Sequence, residues 1–343
     1  MRCVTRSILA MTDTHPSLLQ VRALSVSYAG SHGVLPALSE VDLDLKEHEC
    51  LGVVGESGSG KTQLLLALLG LCGPAAHVTG SIRYRGEELL GATPARLAAL
   101  RGRRIAMVFQ EPQSALNPYL SIAAQLSEGA RHHLKLTRRA ALSRAAELLE
   151  LVQISAPNAR LRQFPHELSG GMRQRVTIAM ALMCEPEILL LDEPTTALDV
   201  TIQAQVLEVL SSIRARTGVA TIFVSHDFGA LATMAARLIV MYAGRAVEQG
   251  AIEQVYASPL HPYTSGLLRS LPRLDLPLPK RLAAIPGQPP DLAELPPGCA
   301  FSPRCPLVHS ACLERPALRT RRTDQQVACH CEFPADRIAE AWS

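Results

Sequence analysis

The chain has 343 residues, 48% of them apolar, so it can bury a large core and form more than one domain or one large domain with an appendage. Its net charge of +3 is too small for the basic surface of a nucleic-acid-binding protein, and we expect no nucleic-acid partner. No apolar run approaches the roughly 18–20 residues of a membrane helix, and the apolar piece near the N-terminus is too brief for a signal-peptide core. These features predict a soluble chain.

Several short segments within the first 110 residues have the pattern of β-strands. Residues 19–27 alternate in the manner of an edge strand, and in residues 41–45 apolar and charged side chains alternate as in a half-buried strand. Residues 81–85 predict a further short strand, and residues 105–109 form a continuous apolar run of strand length.

Residues 51–69 predict a buried strand, a glycine-rich turn and an apolar helix in succession. The turn fits the phosphate-binding template G-x-x-x-x-G-K-[ST] at every fixed position; its members are Gly55, Glu56, Ser57, Gly58, Ser59, Gly60, Lys61 and Thr62. Its glycines let the backbone close around a phosphate, and the N–H groups at the helix start point at the anion. Lys61 can reach the β- and γ-phosphates of a nucleotide, and the Thr62 hydroxyl can ligate Mg²⁺. We call residues 55–62 the phosphate loop.

A mostly helical stretch follows at about residues 113–170. Within it, residues 138–153 carry apolar side chains at amphipathic helical spacing. The strand pattern returns in residues 188–191 and 219–224, with helical stretches between them. Strands that alternate with helices predict an α/β fold with a largely parallel sheet covered on both faces.

Two carboxylates follow the strand over residues 188–191. Ligands of α/β proteins bind at the carboxyl ends of the strands, so Asp192 is placed to hold Mg²⁺ through a water. Glu193 is placed to orient or deprotonate a water aimed at a γ-phosphate. A solvated acidic pair is the plainer interpretation, but the phosphate loop favours the catalytic one.

Ser169, Gly170 and Gly171 open a second helix whose N–H groups are offered to an anion. One nucleotide needs only one such cradle, and a flexible helix start is the plainer interpretation. Together with the phosphate loop, however, residues 168–175 resemble the signature motif of ABC-transporter ATP-binding subunits. The resemblance implies an ABC-type P-loop NTPase with a helical insertion subdomain, and ATP and Mg²⁺ as cofactors. It also implies a dimer, in which residues 169–171 of one subunit close over the ATP held by the other.

The other parts of that family's site occur in order along the chain. Tyr28 resembles the aromatic residue that stacks on adenine, and Gln110 the residue that contacts Mg²⁺ or the attacking water. Asp199 lies in a stretch that resembles the loop communicating between the two sites, and His226 resembles the switch histidine at the γ-phosphate. Tyr28, Gln110 and His226 each have a plainer structural interpretation when taken alone. The resemblance implies catalytic roles for Glu193, His226 and Gln110 and Mg²⁺ ligation by Thr62, Gln110 and Asp192.

Several stretches resemble the oligopeptide and dipeptide importer branch of the family. They are residues 109–112 (Phe-Gln-Glu-Pro), 114–118 (Ser-Ala-Leu-Asn-Pro), 261–264 (His-Pro-Tyr-Thr), 285–290 and 298–306. The branch implies an ATP-hydrolysing subunit that powers the uptake of short peptides, and importers of nickel and glutathione in the same branch remain alternatives. A soluble ABC ATPase acting on DNA or ribosomes is a further alternative, although such proteins typically carry two cassettes, coiled coils or basic arms.

Branch membership also implies partners and a location. The partners are a second, related ATPase chain in a heterodimer, two transmembrane permease subunits and, through them, an extracytoplasmic solute-binding protein. The chain is then expected as a peripheral subunit on the cytoplasmic face of the cell inner membrane.

Prolines accumulate after residue 255, and no long periodic segment follows. This change predicts a nucleotide-binding domain over residues 19–255 and a loop-rich C-terminal domain over residues 256–343. Five of the nine cysteines lie in residues 299–331, which we call the cysteine segment. In a cytoplasmic protein such crowding indicates metal or redox chemistry rather than disulfides.

Cys299, Cys305, Cys312 and Cys329 have the spacing C-x5-C-x6-C-x16-C. Zinc modules usually begin with a closely spaced pair, whereas iron–sulfur clusters tolerate varied spacing. Branch members with these cysteines are similar in holding a 4Fe-4S cluster there. Zinc and free structural thiols remain open alternatives, and Cys331 has no assigned role.

Overall fold

The computed structural model describes residues 17–30, 33–111, 115–196, 198–271 and 284–332, together with Ile338 and Trp342. The described strands are β1 (Leu19–Gly30), β2 (Gly33–Leu45), β3 (Cys50–Val54), β4 (Ala76–Tyr84), β5 (Glu87–Glu88), β6 (Ile105–Val108), β7 (Ile188–Asp192), β8 (Ala220–Ser225), β9 (Arg237–Tyr242), β10 (Arg245–Ala251), β11 (Arg319–Arg322) and β12 (Gln325–Val327). The described helices are α1 (Lys61–Leu68), α2 (Pro94–Leu100), α3 (Ile122–His133), α4 (Arg138–Leu151), α5 (Pro157–Arg160), α6 (Gly170–Leu182), α7 (Val200–Thr217), α8 (Phe228–Met234), α9 (Ile252–Ala257) and α10 (Pro262–Arg269). Short 3-10 turns lie at Pro165–Glu167, Leu292–Glu294, Ser302–Arg304 and Ser310–Leu313.

The central sheet has the strand order β11-β12-β10-β9-β3-β8-β7-β6. The neighbours from β9 through β3, β8 and β7 to β6 run parallel, and the remaining pairs are antiparallel. The predicted parallel sheet is therefore confirmed. In the register of these strands, Val54 lies opposite Ser225 and Asp192 opposite Val224, so β3, β7 and β8 end at one edge. This edge carries the predicted site.

Both faces of the central sheet are buried. Leu51 and Val53 of β3 belong to one apolar cluster, which also contains side chains of α1 and of β1 and β2. Cys50 and Val54 belong to a second cluster on the other face, with side chains of α6, α7 and α8. Burial on both faces explains why the parallel strands are uninterrupted apolar runs in the sequence.

A second, antiparallel sheet has the order β2-β1-β4-β5. Because β1 pairs with both β2 and β4, the prediction of an edge strand over residues 19–27 is wrong. The alternation of polar and apolar side chains reports that one face of the sheet is solvated, a property that central antiparallel strands share with edge strands.

The region between β6 and β7 is helical, as predicted. The Ser121 hydroxyl accepts a hydrogen bond from the Ala124 N–H at the start of α3, and Thr137 caps α4 in the same way through Ala140. Helix α4 buries Ala141, Ala145, Leu148 and Leu149, which follow the amphipathic spacing of the sequence.

The C-terminal part packs on the central sheet and extends it. Strand β12 pairs with β10, and the rings of Tyr263 and Phe301 lie 4.6 and 5.2 Å from the ring of Tyr242 in β9. The predicted division near residue 256 therefore crosses a continuous sheet. Within the described ranges, no helix has the length and apolar character to cross a membrane.

Candidate nucleotide-binding site

The phosphate loop connects β3 to α1 with the close backbone packing that its glycines allow. A Cβ atom on Gly55 would collide with the backbone carbonyl of Met241. Gly60 has a φ of 100°, in the left-handed region, and a Cβ there would lie 2.8 Å from the carbonyl oxygen of Ala37. Only glycine allows the backbone to approach this closely at Gly55 and Gly60 and to adopt the positive φ of Gly60, so the fold of the loop depends on these two glycines.

Lys61 lies buried under the phosphate loop. Its Nζ donates to the carbonyl oxygens of Gly55 and Glu56 at 2.9 and 3.0 Å and lies 3.7 Å from Glu193 Oε1. Burial lowers the pKa of the Lys61 ammonium, although Glu193 and Asp192 oppose this effect. A desolvated ammonium of this kind is strongly attracted to an anion such as a phosphate.

The predicted Mg²⁺ ligands Thr62 and Asp192 meet at the same edge. The Thr62 Oγ1 hydroxyl donates to Asp192 Oδ1 at 3.2 Å. Asp192 is only 2% exposed, and burial raises the pKa of its carboxyl. A hydroxyl and a carboxylate oxygen are ligands that Mg²⁺ prefers, so their chemistry and placement fit this ion.

Glu193 is the centre of the predicted catalytic group. Its Oε2 lies 3.1 Å from His226 Nδ1 and accepts from Gln110 Nε2 at 3.3 Å and from Thr196 Oγ1 at 2.9 Å. The hydrogen bond with His226 lowers the pKa of Glu193 to about 2 against the opposing effect of burial, and the same bond raises the pKa of His226. The structure thus brings Gln110, Glu193 and His226 together. Thr196 was missed, although a hydroxyl three residues after the carboxylate is a signal that could have identified it.

The backbone of Glu193 is held in an uncommon conformation. Its φ of 45° lies in the left-handed region, and its N–H donates to the carbonyl of Val224 at 3.0 Å, continuing the pairing of β7 with β8. Such conformations persist only where the surroundings enforce them, and they concentrate at functional sites.

Residues 169–171, which we call the signature turn, begin α6. The Ser169 hydroxyl accepts from the Met172 N–H at 3.3 Å. A Cβ on Gly171 would lie 2.6 Å from Ile202 Cγ2, whereas a Cβ on Gly170 would meet open space. No hydrogen bond or ion pair among the described residues joins this turn to the phosphate loop. Gly171 is thus needed for packing, and Gly170 leaves the helix start open.

Asp199 and Tyr28 each make hydrogen bonds outside the catalytic group. Asp199 caps α7 by accepting from the Ile202 N–H at 2.9 Å. The Tyr28 hydroxyl lies 2.8 Å from Gln63 Oε1 and 3.0 Å from the carbonyl oxygen of Cys72. Tyr28 is therefore attached to α1 one residue beyond Thr62, and its contact with adenine stays a prediction.

The cysteine segment does not form a ready metal site. Among the described residues, no group of three or more His, Cys, Asp or Glu side chains is arranged to hold a metal ion. Burial raises the pKa of the Cys305 and Cys329 thiols to about 12, with smaller contributions from neighbouring thiols, and burial also raises that of Cys299. The thiols are therefore protonated when no metal is bound, and a metal would have to displace their protons on binding. As arranged, the described side chains form no ready ligand set for a cluster or a zinc ion.

Comparison with known proteins identifies the family. The family model "ABC transporter" matches residues 38–196, and "Oligopeptide/dipeptide transporter, C-terminal region" matches residues 247–312. The oligopeptide transport ATP-binding protein OppD of Salmonella typhimurium is 42% identical over 312 residues, which are 91% of this chain and 93% of that protein. The chain belongs to the ABC-transporter ATP-binding proteins of the oligopeptide and dipeptide branch.

This ABC protein also resembles longer relatives and solved cassettes. OppD of Mycobacterium bovis is 46% identical over 314 residues, but the chain spans only about half of that relative's length, 51%. The ATP-binding cassette MJ0796, in a dimeric post-hydrolysis state bound to ADP and phosphate, has a TM-score of 0.62 at 25% identity over 68% of this chain and 98% of its own. The cassette cbiO1 of Clostridium perfringens has a TM-score of 0.60 at 28% identity over 70% of this chain and 91% of its own. The predicted ABC-type P-loop NTPase fold is thus confirmed.

Proposed function

We propose that this chain is the ATP-hydrolysing subunit of an importer and that it powers the uptake of short peptides through separate transmembrane subunits. The observation that carries the proposal is the meeting of Lys61, Glu193 and His226 at one edge of the central sheet. The match to the oligopeptide and dipeptide C-terminal region supports the peptide class of substrate.

The geometry supports the transfer of a phosphoryl group to water. Glu193 is ionised and fixed by His226 and Thr196, so it is suited to orient a water. Because a lowered pKa makes a carboxylate a weaker base, deprotonation of that water would require the hydrogen bond with His226 to be exchanged for one with the water. Lys61 would bind the β- and γ-phosphates, and Gln110 would help to position the water. Thr62 and Asp192, with Gln110, would hold the Mg²⁺ that neutralises charge on the phosphate oxygens when it is bound.

Hydrolysis is proposed to need two cassettes. Gly170 leaves the start of α6 open, as expected for a helix end that closes over ATP bound to another subunit. The dimeric state of MJ0796 with ADP and phosphate supports this arrangement by similarity. Asp199, which caps the helix whose Ile202 packs on Gly171, would communicate between the two sites, and Tyr28 would stack on adenine.

The proposed partners are a second, related ATPase chain, two permease subunits and a solute-binding protein, with the chain as a peripheral subunit on the cytoplasmic face of the inner membrane. Support comes from the named relatives, which are peptide-transport ATP-binding proteins. We also propose residues 19–255 and 256–343 as the two domains of the chain.

The test is to purify the chain with its membrane partners, measure ATP hydrolysis in vesicles, and follow the uptake of labelled dipeptides, longer peptides, nickel and glutathione. We expect hydrolysis coupled to peptide uptake. If the assembly takes up only nickel or only glutathione, that compound and not a peptide is its substrate. An assembly that consumes no ATP would overturn the whole proposal.

A 4Fe-4S cluster held by Cys299, Cys305, Cys312 and Cys329 is a separate proposal. Its support is that five thiols occur in a short segment and lie near enough to affect one another's pKa. Because the thiols as arranged do not fit a metal, binding would require them to move and lose protons. Anaerobic purification should yield a brown protein with absorbance near 400 nm and bound iron if the proposal is correct. A colourless, iron-free and folded chain would exclude the cluster.

A further inference from the structure

The phosphate loop is bound by a side chain from the far end of the sequence. Arg304 Nη1 donates to Glu56 Oε2 at 2.7 Å, and Arg304 Nη2 donates to Glu56 Oε1 at 3.0 Å. Glu56 is the second residue of the loop, and 248 residues separate it from Arg304. The Arg304 side chain is 5% exposed and that of Glu56 is 25% exposed. A two-bond, charge-assisted pair with so little water around it is both strong and geometrically specific.

Arg304 is itself fixed in place. Its Nε donates to the carbonyl oxygen of Pro286 at 3.0 Å, and its Nη1 also lies 3.3 Å from the Tyr242 hydroxyl. The guanidinium carbon lies 5.9 Å from the centre of the Tyr242 ring and 6.0 Å from that of Phe301. The C-terminal part therefore presents a rigid guanidinium to the loop.

A second contact holds the backbone of the same loop residue. The Glu56 N–H donates to the Tyr263 hydroxyl at 2.8 Å, and Tyr263 is fully buried at the start of α10. The Glu56 carbonyl accepts from Lys61 Nζ at 3.0 Å. Glu56 is thus held through its side chain and its N–H by the C-terminal part, and through its carbonyl by the lysine of the loop.

We propose that Tyr263 and Arg304, which we call the loop clamp, are positioning residues that hold the phosphate loop in its nucleotide-binding conformation. The C-terminal part of the chain would then contribute directly to ATP affinity. The physical reason is that a loop ordered before binding does not lose conformational entropy when the nucleotide arrives. Since the loop binds ATP in the proposed function, the role of the clamp rests on that function.

The first test is nucleotide affinity. The full chain, with Mg²⁺, is titrated with a fluorescent ATP analogue. We expect Arg304→Gln to raise the Kd about tenfold, the effect of losing a hydrogen bond to a charged group. Arg304→Lys should give a smaller loss, because an ammonium cannot reproduce the two-bond fork. The matched control is Arg321→Gln, which removes an ion pair of the same C-terminal part, with Glu332 at 2.8 Å, and should leave the Kd unchanged.

The second test separates positioning from a purely structural role. Glu56→Gln combined with Arg304→Gln should weaken binding little more than either change alone, because both break one contact. In the assembly with its partners, Arg304→Gln should raise the KM for ATP and leave kcat near that of the wild type, since Arg304 touches no reacting atom. A lower fraction of active protein with unchanged Kd would instead show a structural role and overturn the proposal.

Tyr263→Phe decides the matter if the Arg304 variants do not fold. It removes one hydroxyl, and we expect the Kd to rise roughly threefold, the effect of one neutral hydrogen bond. An unchanged Kd in a folded Tyr263→Phe or Arg304→Gln variant would refute the clamp while leaving the proposed function intact. A wild-type chain that binds no nucleotide would instead refute the proposed function.

Discussion

The edge of the central sheet and the cysteine segment both contain residues of types that bind ligands or catalyse reactions. Among the described residues, these side chains lie in contact as a site only at the sheet edge. At the sheet edge, Asp192 ends one parallel strand and Lys61 and His226 follow two others, and the register brings these strand ends together. In the cysteine segment, the thiols follow turns and a short hairpin, and within the described part of the chain they do not form a ligand set. The same segment instead delivers Arg304 to the phosphate loop. A regular sheet determines where side chains meet, whereas cysteine spacing in irregular backbone does not.

The largest effect is expected from Glu193→Gln at the sheet edge. This change keeps a hydrogen-bonding side chain but removes the base, so ATP hydrolysis should fall by about 10²–10⁴-fold while ATP still binds. Hydrolysis is measured in the assembly with its membrane partners, and binding with the fluorescent analogue. The matched control is Glu187→Gln at the opposite end of β7, where Glu187 pairs with Arg85 and Arg104. If both variants turn over normally, the sheet edge is not the catalytic centre.

The second prediction concerns the packing of the cysteine segment. Phe301 is 1% exposed and contacts Tyr242 and Tyr263, so Phe301→Ala should lower the free energy of unfolding by about 3–5 kcal/mol. Leu313 is 73% exposed, and Leu313→Ala should change the free energy of unfolding by less than about 0.5 kcal/mol. Urea unfolding measures both variants. Equal, small effects would mean that the segment does not share the core of the central sheet.

The third prediction returns to the phosphate loop. Lys61→Ala should weaken ATP binding roughly 10- to 100-fold, because it removes a charged hydrogen-bond donor from a buried site. Lys46 is exposed and precedes β3, whereas the loop follows the other end of that strand, so the Lys46→Ala variant should bind ATP normally. Unchanged affinity in Lys61→Ala would contradict the assignment of the phosphate loop.

The last prediction concerns the pH dependence of stability at His261. Burial lowers the pKa of this fully buried histidine to about 3, so it stays neutral in the folded chain. The unfolded chain takes up a proton at this residue below about pH 6.5, and stability is therefore lost as the pH falls from about 6.5 towards 3, by up to about 1.4 kcal/mol per unit.

The control for this prediction is His261→Asn, which keeps a cap for the Tyr263 N–H but does not titrate. Burial raises the pKa of Glu248, whose carboxylate accepts from the Leu260 and His261 N–H groups, and this acts in the opposite direction. Subtracting the free energy of unfolding of the variant from that of the wild type at each pH removes the contribution of Glu248, because Glu248 is present in both proteins. A difference that does not change between pH 6.5 and 4.5 would contradict the buried, neutral state of His261.

The sequence predicted most of the fold because its signals are local. The parallel strands are apolar runs, α4 has helical periodicity, and the catalytic carboxylate directly follows a strand. The misassigned edge strand β1 shows the limit of such signals, since alternation reports a solvated face and not a neighbour.

By itself, the sequence determined the phosphate loop, the carboxylate pair and the helix start at residues 169–171, because each is a short motif whose geometry follows from adjacent residues. Only the tertiary structure decided that β12 joins the central sheet and that Arg304 and Tyr263 hold Glu56. Contacts between residues far apart in sequence depend on the path of the whole chain, and no local periodicity encodes which side chains that path will bring together.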